Sequence, residues 1–361
     1  MQEVFNFSAG PAALPKPILE NIQQEFLNYN NTGLSIVELS HRSKGFFAIR
    51  NSAESLLREL IGISDDYAVL FMHGGASSQF SMLPLNFLSK GQSADYVCTG
   101  HWSTKAYAEA KKFADINAIN ALENGDSYSI RPTVAWELSS NASYVHYCDN
   151  ETINGVAFAE LPDVKSKPLA CDMTSSILMR QIDVSRYGLI YAGTQKNLGI
   201  AGLCIVIVKK ELLNKVNKSI PRLYDYKRCA EESSLVNTPP TFAIYVLRLL
   251  LDWVKSEGGV DQMYRRSKEN SEWVYQVLDN SQLYNNKVVK EFRSNINISF
   301  DIQDKDLQNK FLDQAESHKL LGLRGHNSVG GVRISLYNAM PQAGVQRLVE
   351  FMQDFEICNV V

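Results

Sequence analysis

The chain has 361 residues, 45% hydrophobic and 21% charged, enough to bury one large core and a smaller one. A formal net charge of −3 leaves no electrostatic footprint for nucleic acid or an anionic membrane, and no apolar run approaches the length that spans a bilayer. Six cysteines without a CxxC pair and six histidines without HxxxH or HxH spacing exclude a metal-ligand pattern and suit a reducing, cytoplasmic setting.

Met1-Gln2-Glu3-Val4-Phe5 lacks the basic start and apolar stretch of a signal peptide. Residues 1–15 are small-residue rich and extended, a segment expected to lie over something rather than to form an element. Pro17 opens a helix at the favoured first-turn position, with Ile18, Ile22, Phe26 and Tyr29 along one face. Leu39-Ser40-His41-Arg42-Ser43-Lys44-Gly45 is a basic loop that reads as an anion clamp or as a solvated turn, and a second amphipathic helix follows from Phe46 to Ile61.

From there short apolar runs alternate with helical segments, the signature of a mostly parallel α/β sheet. Tyr67–Met72 runs into His73-Gly74-Gly75-Ala76-Ser77-Ser78, a strand–glycine–helix junction that offers backbone N–H groups and hydroxyls to an anion, without the P-loop or GxGxxG pattern. Ala94–Cys98 leads to Thr99-Gly100-His101-Trp102-Ser103 and a predicted helix over Thr104–Phe113. Tyr144–Tyr147 leads to the polar loop that holds Thr152, and Leu169–Cys171 ends on Asp172.

Two further strands, Gly188–Tyr191 and Leu203–Val208, flank Ala192-Gly193-Thr194-Gln195-Lys196-Asn197-Leu198-Gly199. A lysine here is either a solvated turn residue or an amine whose pKa is drawn down for Schiff-base chemistry. Next, Thr238 and Pro239 are positioned to open a long helix that is apolar nearly all round, and Gly258–Gly259 marks the domain boundary. The expected division is therefore residues 16–258, a large domain, and 259–361, a smaller α/β domain with a polar loop at Leu321–Gly331.

Strand carboxyl ends share one edge of a parallel sheet, so Gly74–Ser78, Trp102, Thr152, Asp172 and Lys196 should converge. A phosphate cradle, a flat aromatic, a hydroxyl, a carboxylate and an amine are the parts that hold pyridoxal phosphate.

The motifs NFSAGPA (residues 6–12), SHR (40–42), GHWS (100–103), AGTQKN (192–197), NTPPTF (237–242), and the stretches 325–335 and 336–339 resemble the phosphoserine aminotransferase family of class V pyridoxal-phosphate enzymes. The resemblance runs from residue 5 to about residue 345. It implies an aspartate-aminotransferase-like α/β fold and a homodimer with active sites at the interface. It also implies amino transfer from L-glutamate to 3-phosphohydroxypyruvate in serine biosynthesis, with a second activity on 4-phosphohydroxythreonine in vitamin B6 synthesis.

Carried over by motif, Lys196 would bind the cofactor covalently and move protons, and Asp172 would face the pyridinium nitrogen. Trp102 would stack on the ring and Thr152 would bond its hydroxyl, while Ala76, Ser77, Gln195, and Asn237 with Thr238 from the partner would hold the phosphate. Arg333 would fork the substrate carboxylate; His41, Arg42 and His326 would read the distal anion.

One departure stands out. Asn327 occupies the position after Gly325-His326 where the family pattern usually has arginine, and one missing charged hydrogen bond weakens an anion site by about 1.5–3 kcal/mol. Arg324 or Lys44 is the candidate to compensate.

Alternatives within the class are cysteine desulfurases, which need a loop cysteine where this chain offers only Cys358, and alanine–glyoxylate aminotransferases, which have no use for distal cations. A cofactor-binding protein without turnover would not require Arg333, and a sugar-phosphate module would not require Lys196.

Overall fold

The computed structural model describes residues 3–359. A seven-stranded sheet forms the centre of the larger unit, in the order Tyr67–His73, Leu203–Lys209, Leu189–Gly193, Leu169–Asp172, Ala142–Cys148, Ser93–Cys98, Asp115–Asn120. Its central strands are almost wholly buried because helices cover both faces, as parallel sheets require. Side chains alternate between the two cores: Val69, Phe71, Ile205 and Ile207 pack toward the helices Lys44–Ile61 and Thr241–Ser256. Leu70, Met72, Cys204 and Val206 pack toward Ala76–Phe87 and His101–Ala110.

Leu203–Lys209 alone in this sheet runs antiparallel to both its neighbours. The connection 194–202 is shorter than the dozen or so residues a parallel crossover needs, so the chain must turn straight back. That return places Lys196 on the same edge as the carboxyl ends of the parallel strands.

Three features differ from the sequence reading. Asp115–Asn120 is an edge strand with no counterpart among the predicted elements, because its Asp, Asn and Ala content hides the apolar signal of Ile116 and Ile119. The N-terminal segment does form an element: Phe5–Asn6 pairs in parallel with Leu320–Leu321, and Phe5 and Phe7 are buried in the C-terminal core. A two-residue strand has no periodicity to read. Finally, Thr238 does not cap the long helix, which begins at Thr241 after Pro240; the Thr238 carbonyl instead accepts from His73 Nε2 at 2.8 Å, taking that nitrogen as the protonated one.

The smaller unit is a three-stranded antiparallel sheet, Tyr284–Asn285, Asn297–Ile302 and Val332–Ser335, packed on the helices Lys305–Ser317 and Gln342–Asn359. Gly258 and Gly259, both at positive φ (102° and 74°), turn the chain between two long helices, as only glycine does without strain. The helix Gly259–Asn280 then serves both cores, burying Val260 and Met263 in one and Val274 and Leu278 in the other.

Candidate active site

The helix Ala76–Phe87 starts at Gly75 without a side-chain cap, so its first N–H groups are free to meet an anion. Gly74, at φ 91°, makes the tight turn into it. Across the gap, a Cβ on Gly193 would lie 2.6 Å from Gln195 Oε1 and 3.2 Å from the Ala76 nitrogen. Glycine at 193 therefore lets the Gln195 carboxamide and the Ala76 amide pack close together.

Lys196 is held by its neighbours in sequence. The Gln195 carbonyl accepts from the Ala12 N–H at 2.9 Å, and Asn197 Nδ2 donates to the Ser175 carbonyl at 2.9 Å. Asn197 Oδ1 accepts the Asn338 N–H at 3.1 Å, which ties this loop to the smaller unit. Gly10 lies against the lysine stem: a Cβ there would touch Lys196 Cε at 3.5 Å. The amine is buried, and burial lowers its pKa from 10.5 to about 8, the nearby Asp172 charge opposing and the Arg333 charge reinforcing the shift.

Asp172 ends its strand, with Oδ1 accepting the Thr174 N–H at 2.9 Å. Burial raises its pKa, while Thr174 and the Lys196 ammonium pull the other way. Trp102, in the first turn of His101–Ala110, donates from indole Nε1 to Thr152 Oγ1 at 2.8 Å, and Lys196 Nζ lies 5.9 Å from its ring centroid. Thr152 Oγ1 accepts that bond and so keeps its own O–H free to donate.

From the smaller unit, Arg333 Nη1 donates to the Thr152 carbonyl at 3.2 Å. Its Nε is buried without a protein partner. His326 shares a 2.7 Å hydrogen bond between Nδ1 and Ser328 Oγ, its ring 5.4 Å from that of His101.

Lys196, Asp172, Trp102, Thr152, Ala76, Ser77, Gln195, His326 and Arg333 line one cavity of about 550 Å³, a size typical of small-molecule sites. The other four predicted site residues are elsewhere on this chain. Arg42, Asn237 and Thr238 are exposed, His41 is half-buried, and none of the four lines the cavity. Arg324, Lys44 and Asn327 are exposed and outside it too.

Sequence reasoning passed over Glu151, Asn150 and Gly10. Asn150 and Gly10 line the cavity, and Glu151 accepts from the backbone N–H groups of Trp102 and Ser103. Their only sequence signal is adjacency to Thr152 or to the N-terminal motif, since their partners are distant in the chain. The same contact explains why His101–Ala110 begins three residues before its predicted start: its cap is a carboxylate some fifty positions away.

The aminotransferase class-V family model matches residues 4–348. A phosphoserine aminotransferase of Acinetobacter baumannii is 49% identical over 352 residues, 97% of this chain and 98% of that one. Phosphoserine aminotransferase from Bacillus circulans subsp. alkalophilus superposes with a TM-score of 0.95 at 40% identity, covering 99% of both chains. The pyridoxal-phosphate-bound phosphoserine aminotransferase of Trichomonas vaginalis gives 0.93 at 38% identity, covering 97% of this chain and 100% of that one.

Proposed function

Because the chain belongs to the class-V aminotransferase family, we propose that it moves the amino group of L-glutamate to 3-phosphohydroxypyruvate, forming O-phospho-L-serine and 2-oxoglutarate with pyridoxal phosphate as cofactor. The observation that carries this reading is one cavity holding a buried amine of lowered pKa, a buried carboxylate and an arginine with an unpartnered Nε. A binding protein without turnover has no use for the third.

The residues fit the cofactor. Lys196 would hold it covalently, Asp172 would face its ring nitrogen, and Trp102 would cover one face of the ring with a large, rigid apolar surface. The free O–H of Thr152 would donate to the ring oxygen. Ala76, Ser77 and Gln195 would hold the phosphate, with Gly193 leaving room for the Gln195 carboxamide beside the Ala76 amide. When bound, the cofactor supplies a ring that draws electrons away from the substrate Cα.

The chain's own part is proton handling and positioning. Burial makes the ionised Asp172 carboxylate costly on its own, so it would gain from pairing with a protonated ring nitrogen and hold the proton there by its charge. Lys196, its pKa lowered by burial, would be released when the substrate amine displaces it from the cofactor and would then take the proton from substrate Cα as a general base. Arg333 offers a planar fork to the substrate carboxylate, a geometry lysine cannot copy. His326, which lines the same cavity, would meet the distal phosphate or γ-carboxylate.

We further propose that a second copy of the chain completes the site. Asn237 and Thr238 would reach the cofactor phosphate, and His41 and Arg42 the distal anion, across a homodimer interface. Exposed Phe26, Leu27, Leu34, Val37 and Phe47 support this, a surface of large apolar groups beside the basic loop. Phe26 packs against Phe242, in the first turn of the helix that follows Asn237 and Thr238 in the chain. Six unpaired thiols, five of them buried, suit a cytoplasmic enzyme. Among the described residues no helix is long and apolar enough to cross a membrane. 4-Phosphohydroxythreonine, which also carries a carboxylate at one end and a phosphate at the other but one carbon further apart, is proposed as a second substrate.

The test is spectroscopic. Purified protein should be yellow, lose its main absorption band on adding glutamate, and regain it with 3-phosphohydroxypyruvate. Lys196→Ala should abolish the cycle. A protein that stays colourless in pyridoxal phosphate contradicts the assignment.

A further inference from the structure

Glu151 is fully buried, and three donors converge on its carboxylate: the Trp102 N–H at 2.9 Å, the Ser103 N–H at 2.8 Å and the Ser103 hydroxyl at 2.6 Å. The helix carrying Trp102 therefore starts on a charge from a different strand, where the helix dipole and the free N–H groups favour an anion. Gly100 makes the approach possible, since a Cβ there would lie 2.6 Å from Glu151 Cδ. An aspartate or serine at position 100 could have capped this helix locally. The cap comes instead from the residue preceding Thr152.

Thr152 grips the same tryptophan a second time, at its indole N–H, and its carbonyl accepts Arg333 Nη1. The turn is rigid: the Gly155 N–H returns to the Glu151 carbonyl at 3.0 Å, Asn154 Nδ2 donates to the Thr99 carbonyl at 3.1 Å, and Ser299 Oγ donates to the Ile153 carbonyl at 2.7 Å. One short turn thus joins the helix of Trp102 to the sheet of Arg333.

We propose that Glu151 is a positioning residue for amino transfer, anchoring the turn 151–155 so that the ring face of Trp102 and the guanidinium of Arg333 are set relative to each other. This rests on the reading of Trp102 as the cofactor's stacking partner and of Arg333 as the carboxylate fork. The cofactor plane and the substrate carboxylate then take their geometry from one piece of backbone.

Glu151→Gln keeps the size of the side chain but replaces one acceptor oxygen with a donor, so one main-chain N–H at the helix start loses its partner. The variant's cofactor affinity is read by tryptophan quenching as pyridoxal phosphate is added to cofactor-free protein. Induced circular dichroism of the bound cofactor and steady-state kinetics complete the set. We expect the cofactor dissociation constant and the KM for glutamate each to rise about tenfold, the dichroism to change, and kcat to fall less than KM rises. Ser103→Ala, which leaves both main-chain bonds, should shift the same readouts in the same direction by less, and it carries the test alone if Glu151→Gln does not fold. A folded variant with a lower melting temperature but unchanged dichroism and KM overturns the proposal, because a purely structural cap would do no more. A parent protein that neither turns yellow nor cycles overturns the function proposed above, and this role with it.

Discussion

Lys196 is the residue on which the proposed chemistry turns, and its environment makes two predictions. Its neutral form is the one that attacks an aldehyde, so the rate of cofactor attachment to cofactor-free protein should rise with pH through about 8. Stopped-flow absorbance measures this; a profile still climbing only above pH 10 would contradict a buried amine. The same burial costs stability. The folded-state pKa is depressed, so the cost is fully present below about pH 8 and is relieved as pH rises toward 10.5, where the unfolded chain also gives up its proton. The difference of the two values corresponds to about 3 kcal/mol. Cofactor-free Lys196→Met should accordingly resist urea better than the parent at pH 7, by up to about 3 kcal/mol, with the gap narrowing at pH 10.

Asn327 raises a different question at the same scale. It is exposed, on the loop with His326, and neither Arg324 nor Lys44 lines the cavity to replace a missing arginine there. Asn327→Arg should lower the KM for 3-phosphohydroxypyruvate about tenfold, the equivalent of one charged hydrogen bond, and leave cofactor affinity unchanged. An unchanged or raised KM would show that the distal anion is met from elsewhere.

Among the elements, the junction between strand Tyr67–His73 and helix Ala76–Phe87 has the most specific geometry. Gly193 is not itself in that junction; its lack of a side chain leaves room for the Gln195 carboxamide beside the Ala76 amide, the two groups proposed to hold the phosphate. Gly193→Ala should weaken pyridoxal phosphate binding by tenfold or more and leave binding of phosphate-free pyridoxal nearly unchanged, both read by fluorescence titration. Equal losses for the two ligands would mean that the methyl disturbs the loop of Lys196 instead. The helix Thr241–Ser256 illustrates the opposite kind of element. Its Leu247 and Leu251 are wholly buried against the core, and truncating either to alanine should cost about 2–5 kcal/mol in denaturant melts without altering the absorption spectrum.

At the scale of the whole molecule, four proposed site residues lie away from the cavity of their own chain. If Arg42 acts in a second copy's site, Lys196→Ala and Arg42→Ala homodimers, each nearly inactive, should recover activity when unfolded and refolded together. Half of the reassorted dimers carry both variants, and each of these has one intact site, which gives about a quarter of the parent activity. No recovery would place Arg42 in its own chain's site or outside the chemistry.

The sequence by itself determined the sheet edge on which the chemistry gathers. Mostly apolar strand runs, each followed by a glycine or a polar turn, bring Ala76, Trp102, Thr152 and Asp172 to one side, and the short return after Leu189–Gly193 puts Lys196 beside them. Those signals are local, set by periodicity and turn chemistry within a dozen residues. What only the tertiary structure decided are contacts between residues far apart in the chain. The carboxylate of Glu151 starts a helix fifty residues earlier, Phe5–Asn6 completes a core built by the other end of the chain, and Arg333 is drawn to the carbonyl of Thr152. None of these has a periodic signature, because a hydrogen bond between distant residues depends on where the fold places donor and acceptor, and no local pattern encodes that distance. The lysine was legible as a residue type in a loop; its pKa near 8 was not, since burial is a property of everything packed around it.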